Sequence, residues 1–186
     1  MRIKVNEHII LKEISRNDAA DIFYTINSQR SYLETWLPFV AYANEPADTE
    51  AFIESVLANQ EENREYVFVI RYDDEFAGII GFKDTDKINR KTEIGYWLSK
   101  HFQKKGIITL SLKQLLKLAF DKLEINRVQI RCAVGNTASS NIPKRLGFIF
   151  EGIEREGEHL RTGRYSDLEV YSLLKRDYKS FSTFFK

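Results

Sequence analysis

The period at which apolar and polar positions recur changes along the chain, and the changes predict its elements. HIILKEI (8–14) reads as a strand. Asn17-Asp18 then offers an N-cap, and Ala19, Ile22, Phe23 and Ile26 follow at helical spacing. A second short helix is predicted over SYLETWL, ending before Pro38. Asp48 caps a third helix running to about Asn63, with Phe52, Ile53, Val56 and Leu57 as its apolar stripe.

The middle shifts toward a period of two. YVFVIRY, a turn at Asp73-Asp74, FAGIIGF, a turn near Asn89-Arg90, and KTEIGYWL predict consecutive antiparallel strands. Gly106 opens a helix with Ile108, Leu112, Leu115, Leu116 and Ala119 on one face. RVQIRCAV follows as a strand, its Val128, Ile130, Cys132 and Val134 alternating with Arg127, Gln129, Arg131 and Ala133. A helix over about Thr137–Leu146 leads into FIFEGIERE and YSDLEVYSLL, a closing hairpin. This order predicts an α/β (α+β) fold: one mixed, mostly antiparallel central sheet flanked by helices. No repeat or Pro/Gly-rich linker interrupts it, so residues 1–186 are expected to form a single domain.

Composition narrows the function. Lys plus Arg number 28 against 27 Asp plus Glu, which excludes a strong overall pull toward nucleic acid or an anionic membrane. The single cysteine, Cys132, excludes an intramolecular disulfide and any multi-cysteine metal site. His8, His101 and His159 lack metal-ligand spacing, so no metal is expected. With neither a secretory signal pattern nor an apolar run of ~18 residues, a cytoplasmic location is expected.

Charge is uneven in one place. From Ile94 to Phe120 no carboxylate occurs, while Lys100, Lys104, Lys105, Lys113 and Lys117 do. At the centre of this stretch Gln103-Lys104-Lys105-Gly106-Ile107-Ile108-Thr109 joins a strand to a helix. The first helical turn leaves amide N–H groups unpaired, and the helix dipole adds positive potential there. Gly106 removes the Cβ that would obstruct close approach, so the loop suits a phosphate. A solvated lysine face is the plainer alternative, and neither G-x-G-x-x-G nor G-x-x-x-x-G-K-[ST] occurs.

Taken with EIGYWLSKHFQKKGIIT, SYLETWLPF and NTASSNIPKRLGFIFEG, this loop resembles the acyl-CoA signature of the GNAT superfamily of N-acetyltransferases. Gln103 and Gly106 match that signature; Lys104 and Ile108 stand where small residues are common. The resemblance covers nearly the whole chain and is to the RimJ/RimL-like branch, whose named members acetylate ribosomal-protein N-termini. It implies a splayed strand pair, with Trp97 and Leu98 bonding the pantetheine arm of acetyl-CoA. It further implies that Gln103, Lys104, Lys105, Gly106, Ile107, Ile108 and Thr109 hold the pyrophosphate, and that Asn136 contacts pantetheine from the other side. Packing is the alternative role for Trp97.

Acyl transfer to an amine needs a proton acceptor for the amine and a donor for the departing thiolate. The resemblance points to Ser139 as donor, with a helix-cap role as its alternative and Ser140 able to exchange with it. The resemblance also points to Glu158, in the expected strand-to-strand turn Glu156-Gly157-Glu158-His159-Leu160, as the preferred base, with an ordinary ion pair or exposed carboxylate as the alternative for it and for Glu93. Glu93 competes, because it shares a strand face with Gly95 and Trp97, and a water relay is a third route. Cys132 falls in an apolar set and reads as a buried thiol, so attack by the amine is expected to be direct. The resemblance implies that Tyr32, Trp36, Leu37 and Phe39 wall the acceptor side, with packing as the alternative for Trp36 and Leu37. The acceptor implied by the resemblance is a protein N-terminal amine; a polyamine or aminoglycoside, or a non-catalytic acyl-CoA-binding module, are the rivals. A peptide acceptor predicts an open groove past Trp36, and a small polycation predicts a closed acidic pocket. The aromatic tail KRDYKSFSTFFK is expected to dock on its own domain, or else to form a homodimer contact.

Overall fold

The computed structural model describes residues 1–61, 66–160 and 163–181. In chain order the elements are β1 (Arg2–Lys4), β2 (Ile9–Glu13), α1 (Ala19–Ser28), α2 (Arg30–Leu33), α3 (Pro46–Glu61), β3 (Tyr66–Tyr72), β4 (Glu75–Asp86) and β5 (Lys91–Leu98). There follow α4 (Ile107–Asp121), β6 (Arg127–Ala133), α5 (Thr137–Arg145), β7 (Ile149–His159), β8 (Tyr165–Leu174) and α6 (Lys175–Phe181). The eight strands form one sheet in the order β1-β2-β3-β4-β5-β6-β8-β7. Every neighbouring pair is antiparallel except β5 and β6.

That parallel pair is short. Register is held only at Lys91–Arg127, Thr92–Val128 and Glu93–Gln129. Past Glu93 the strands separate, while β5 stays bonded to β4 as far as Leu98. One edge of the 94–98 backbone therefore faces a gap inside the sheet. The expected splay is present.

The central strands are buried on both faces, which explains why YVFVIRY is a near-continuous apolar run. Phe68 and Ile70 join the core under α4 with Leu112, Leu115, Leu116 and Phe120. Val67 and Val69 point the other way, into a second core with Ile22 and Ile26 of α1, Ile53 and Val56 of α3, and Trp97. The turn at Asp73-Asp74 has both residues at positive φ (49° and 65°), the two-residue conformation that matches strand twist.

Several details depart from the sequence expectations. A first strand, β1, precedes β2 and pairs with it. Asp18 holds the N-cap position of α1 but its side chain makes no capping bond: it is buried and accepts hydrogen bonds from Ser15 N (3.0 Å), Ser15 Oγ (2.7 Å) and Arg71 (2.9 Å). The helix over SYLETWL shrinks to α2, and Pro38 starts a 3-10 turn instead. Phe52 of α3 is exposed, as is Val134, because β6 ends at Ala133. Tyr178 is buried against Phe120, at 4.9 Å between ring centroids, so the start of the C-terminal segment packs on its own domain. Phe184 and Phe185 lie outside the described residues.

Gly78 of β4 sets how closely β5 can lie. A Cβ there would sit 2.2 Å from the Trp97 carbonyl oxygen and 2.9 Å from Leu98 Cα. Gly78→Ala is therefore expected to destabilise the fold by about 1–3 kcal/mol, read as a lowered midpoint in urea denaturation with an unchanged slope.

Candidate functional site

The gap between β5 and β6 opens onto the start of α4. Gly106 is the N-cap residue in left-handed conformation (φ 72°, ψ 4°), and the first turn of α4 carries no acidic residue. The first helical bond closes from Leu110 N to Gly106 O, so the amides before Leu110 have no helical acceptor. A Cβ on Gly106 would meet nothing within 4 Å. Glycine is thus favoured here by its positive φ, not by close contact within the chain. Lys104 also sits at positive φ (62°), which costs a side-chain-bearing residue roughly 1 kcal/mol and accounts for small residues being favoured there.

These features border a cleft of about 430 Å³. Trp97, Leu98, Gln103, Lys104, Gly106, Ile107, Ile108, Thr109 and Asn136 all line it. Lys105 does not: its ammonium lies over the rings of Tyr72 (4.6 Å) and Phe102 (5.3 Å). Sequence reasoning missed Tyr96 and Arg145 on the same wall. Arg145 was discoverable as the cation in the last turn of α5, whereas nothing in the spacing singled out Tyr96. The loop is tied to the α1–α2 junction. Gln103 Nε2 donates to the Tyr32 hydroxyl, and Gln29 donates to Ser99 Oγ (2.9 Å) while accepting from Lys100 N (2.8 Å).

Ser139 stands in the first turn of α5. Asn136 caps that helix by accepting from Ser139 N at 3.2 Å, so the cap role considered for Ser139 falls to Asn136. Ser140 is buried and its hydroxyl accepts from Lys144 (3.4 Å). The Ser139 hydroxyl instead belongs to a directed chain. Tyr96 spends its only proton on the Ser139 carbonyl (3.2 Å), so it can only accept from Ser139 Oγ (3.2 Å). Cys132 Sγ lies 3.2 Å from the same Oγ, and with the serine proton turned to Tyr96 the thiol is the donor. Burial pushes both the Cys132 thiol and the Tyr96 phenol upward, keeping both protonated.

On the far side of Ser139 a second chamber, about 520 Å³, extends between the sheet and the N-terminal helices. Trp36, Leu37, Tyr96, Trp97, Asn136 and Ser139 border both spaces. Ile22, Ile26, Val56, Val67 and Ile79 form apolar wall, and the exposed rings of Phe39, Tyr42 and Phe52 stand at its rim. Tyr32 lines only the first cleft.

Glu93 and Glu158 both line this chamber in unlike settings. Glu93 is 6% exposed and held by Arg131 Nε (2.6 Å) and Lys83 Nζ (2.8 Å). Glu158 lies on β7 opposite Ser166, within the strand and not in the expected turn. Among the described residues it has no ion pair or side-chain hydrogen bond. Burial pushes its carboxyl above the usual range and the Glu93 charge adds to that, while Lys83 and Arg131 oppose it. Among the described residues no group of His, Cys, Asp and Glu could hold a metal ion, and no helix is long and apolar enough to cross a membrane.

Comparison with known proteins agrees with this geometry. The acetyltransferase (GNAT) domain model matches residues 8–149. YdaF of Bacillus subtilis, named provisionally as a ribosomal N-acetyltransferase, is 38% identical over 182 residues, covering 95% of this chain and 96% of its own. The ribosomal-protein-serine acetyltransferase of Escherichia coli is 29% identical over 170 residues, 91% of this chain and 94% of its own. Among solved structures, the ribosomal-protein alpha-N-acetyltransferase RimL in complex with coenzyme A aligns with TM-score 0.90 at 25% identity, over 94% of this chain and 98% of its own. The microcin self-immunity acetyltransferase MccE, in complex with acetyl-CoA and AMP, aligns with TM-score 0.88 at 31% identity, over 92% and 95%.

If the α4 N-terminus takes a phosphate group, a carboxylate placed there must repel it. Gly106→Glu is expected to weaken acetyl-CoA binding at least tenfold in calorimetric titration, about 1.4 kcal/mol or more, with Lys105→Ala changing it less. Equal losses in the two variants would contradict this placement.

Proposed function

This chain belongs to the GNAT acetyltransferase family and transfers acetyl from acetyl-CoA to an amine, and we propose that the amine is the free N-terminus of a protein, a ribosomal protein in particular. The observation that carries the proposal is the character of the chamber beyond Ser139. Much of its wall is apolar, exposed aromatic rings stand at its rim, and among the described residues its carboxylates are nearly all engaged. Glu93 is held by two cations, and Asp48 accepts from the backbone amides of Asn44 (2.8 Å) and Glu45 (3.0 Å). Among the described residues that line the chamber, Glu158 alone is left to face an ammonium. A polyamine or aminoglycoside needs several unpaired carboxylates, whereas a peptide N-terminus carries one charge on a chain that can lie along apolar surface. The names of YdaF and the E. coli relative point the same way.

Acetyl-CoA supplies the activated thioester. The unpaired edge of β5 from residue 94 to Leu98 suits the amide groups of the pantetheine arm, because buried backbone donors and acceptors need partners. The free amides at the start of α4, with Lys104 and Arg145 on the walls, suit the pyrophosphate. Glu158 takes a proton from the acceptor ammonium, and its raised proton affinity brings it closer to the amine it must deprotonate. Ser139 then turns its hydroxyl from Tyr96 to hydrogen-bond the departing sulfur while its oxygen accepts from the Cys132 thiol, and the sulfur ends with the second proton that the attacking nitrogen releases. Attack is direct. The one thiol is buried and protonated, hence a poor nucleophile.

Initial rates with acetyl-CoA provide the test. Short peptides with a free N-terminus are expected to exceed spermidine in kcat/KM, and a reversal of that order would overturn the acceptor assignment. Glu158→Gln is expected to lower kcat by about 10²–10³-fold. Ser139→Ala and Tyr96→Phe are expected to lower kcat by about tenfold or more with little change in KM for acetyl-CoA, since both act on proton delivery to the leaving group.

A further inference from the structure

Resting on the assignment of Glu158 as base, we propose that Glu93 is a positioning residue that holds Lys83 and Arg131 and so keeps Glu158 unpaired and able to accept a proton. Glu93 is the last residue of β5 matched to β6, where it pairs with Gln129, and it is matched to Lys83 across β4. Arg131 lies further along β6, reaching Glu93 at 2.6 Å with Nε and Glu154 of β7 at 3.2 Å with Nη1. Glu158 follows on that same strand, and Lys83, Glu93, Arg131 and Glu158 all line one chamber.

Two cations therefore stand between two chamber carboxylates, and both are taken by the buried one. Charges facing Glu158 come from Lys83 on β4, Glu93 on β5 and Arg131 on β6. On its own strand, Glu154 is paired to Arg131, and Asp48 of α3 is engaged by the backbone. Ser166 opposite on β8 is uncharged. Without the Glu93 charge, Lys83 and Arg131 would have Glu158 as their nearest unpaired chamber carboxylate. A Glu158 captured in that way would lose both proton affinity and access to the acceptor. Buried ion pairs contribute little net stability compared with apolar packing, so stability alone does not account for the ion-paired Glu93 in this chamber. The same two contacts argue against Glu93 as the base, because taking a proton there means giving up both.

The test is kcat against pH at saturating acetyl-CoA and peptide acceptor, so that the titration of free peptide does not enter. Glu93→Gln is expected to shift the acid limb downward by roughly one pH unit and to lower the plateau about tenfold. Lys83→Met, at a half-exposed position, is expected to shift that limb upward by roughly half a unit, and it decides the matter if Glu93→Gln does not fold. A merely structural role would lower activity and leave the limb where it is, so an unmoved limb in the folded variants overturns the inference. If Glu158→Gln keeps its rate while Glu93→Gln loses turnover at every pH, Glu93 is the base and both assignments fall. If Glu158→Gln loses turnover but the other variants keep the wild-type limb, only the inference about Glu93 falls.

Discussion

Everything at this site depends on a pairing that stops. Strands β5 and β6 are parallel neighbours for only three matched residues, and after Glu93 their backbones diverge. A sheet cannot leave peptide groups unpaired in its middle without a substitute partner. The gap is therefore both a structural defect and a recognition surface. It aligns an unpaired strand edge with the unpaired amides of α4, and a ligand with amide groups at one end and phosphates at the other satisfies both.

The charge pattern follows from the same geometry. The segment that enters and leaves the gap, from Ile94 to Phe120, carries no carboxylate, which keeps an anion from being repelled along its path. Carboxylates appear at the branch point and beyond it, where Glu93 and Glu158 line the second chamber. There the chain separates two glutamates by environment: one buried and held by two cations, the other half-buried and, among the described residues, without a partner. Residues of one type thus acquire different chemistry through what surrounds them.

Ser139 lies where the two spaces meet, and its hydroxyl is ordered by a chain whose direction is fixed at one end. A carbonyl can only accept, so the Tyr96 proton is committed to it, the serine proton points to Tyr96, and the thiol proton points to the serine. Cys132 and Tyr96 thereby take part in the site without being nucleophile or base. Burial that makes them unreactive also makes them dependable donors.

The periodicity of the chain determined most of the sheet, the α4 helix and the loop that opens it. Those features depend on local physics: alternation, helical spacing, a glycine at positive φ and an absence of acid near a helix start. Nearly all of the residues that the resemblance implies for the cofactor line one cleft, because most of them are contiguous with that loop. Lys105 was the exception, since the sequence shows a cation but not the rings of Tyr72 and Phe102 that draw it away. Asp18 as a buried acceptor, Tyr96 as the partner of Ser139, and the contrast between Glu93 and Glu158 were not legible. Each depends on side chains from strands or helices distant in sequence. Local pattern specifies which face a residue takes, whereas hydrogen-bond direction and proton affinity depend on what tertiary packing brings to that face. That is why the sequence by itself picked out the loop and strand that border the cleft, and only the folded structure decided which of the two chamber glutamates is held by cations and which is not.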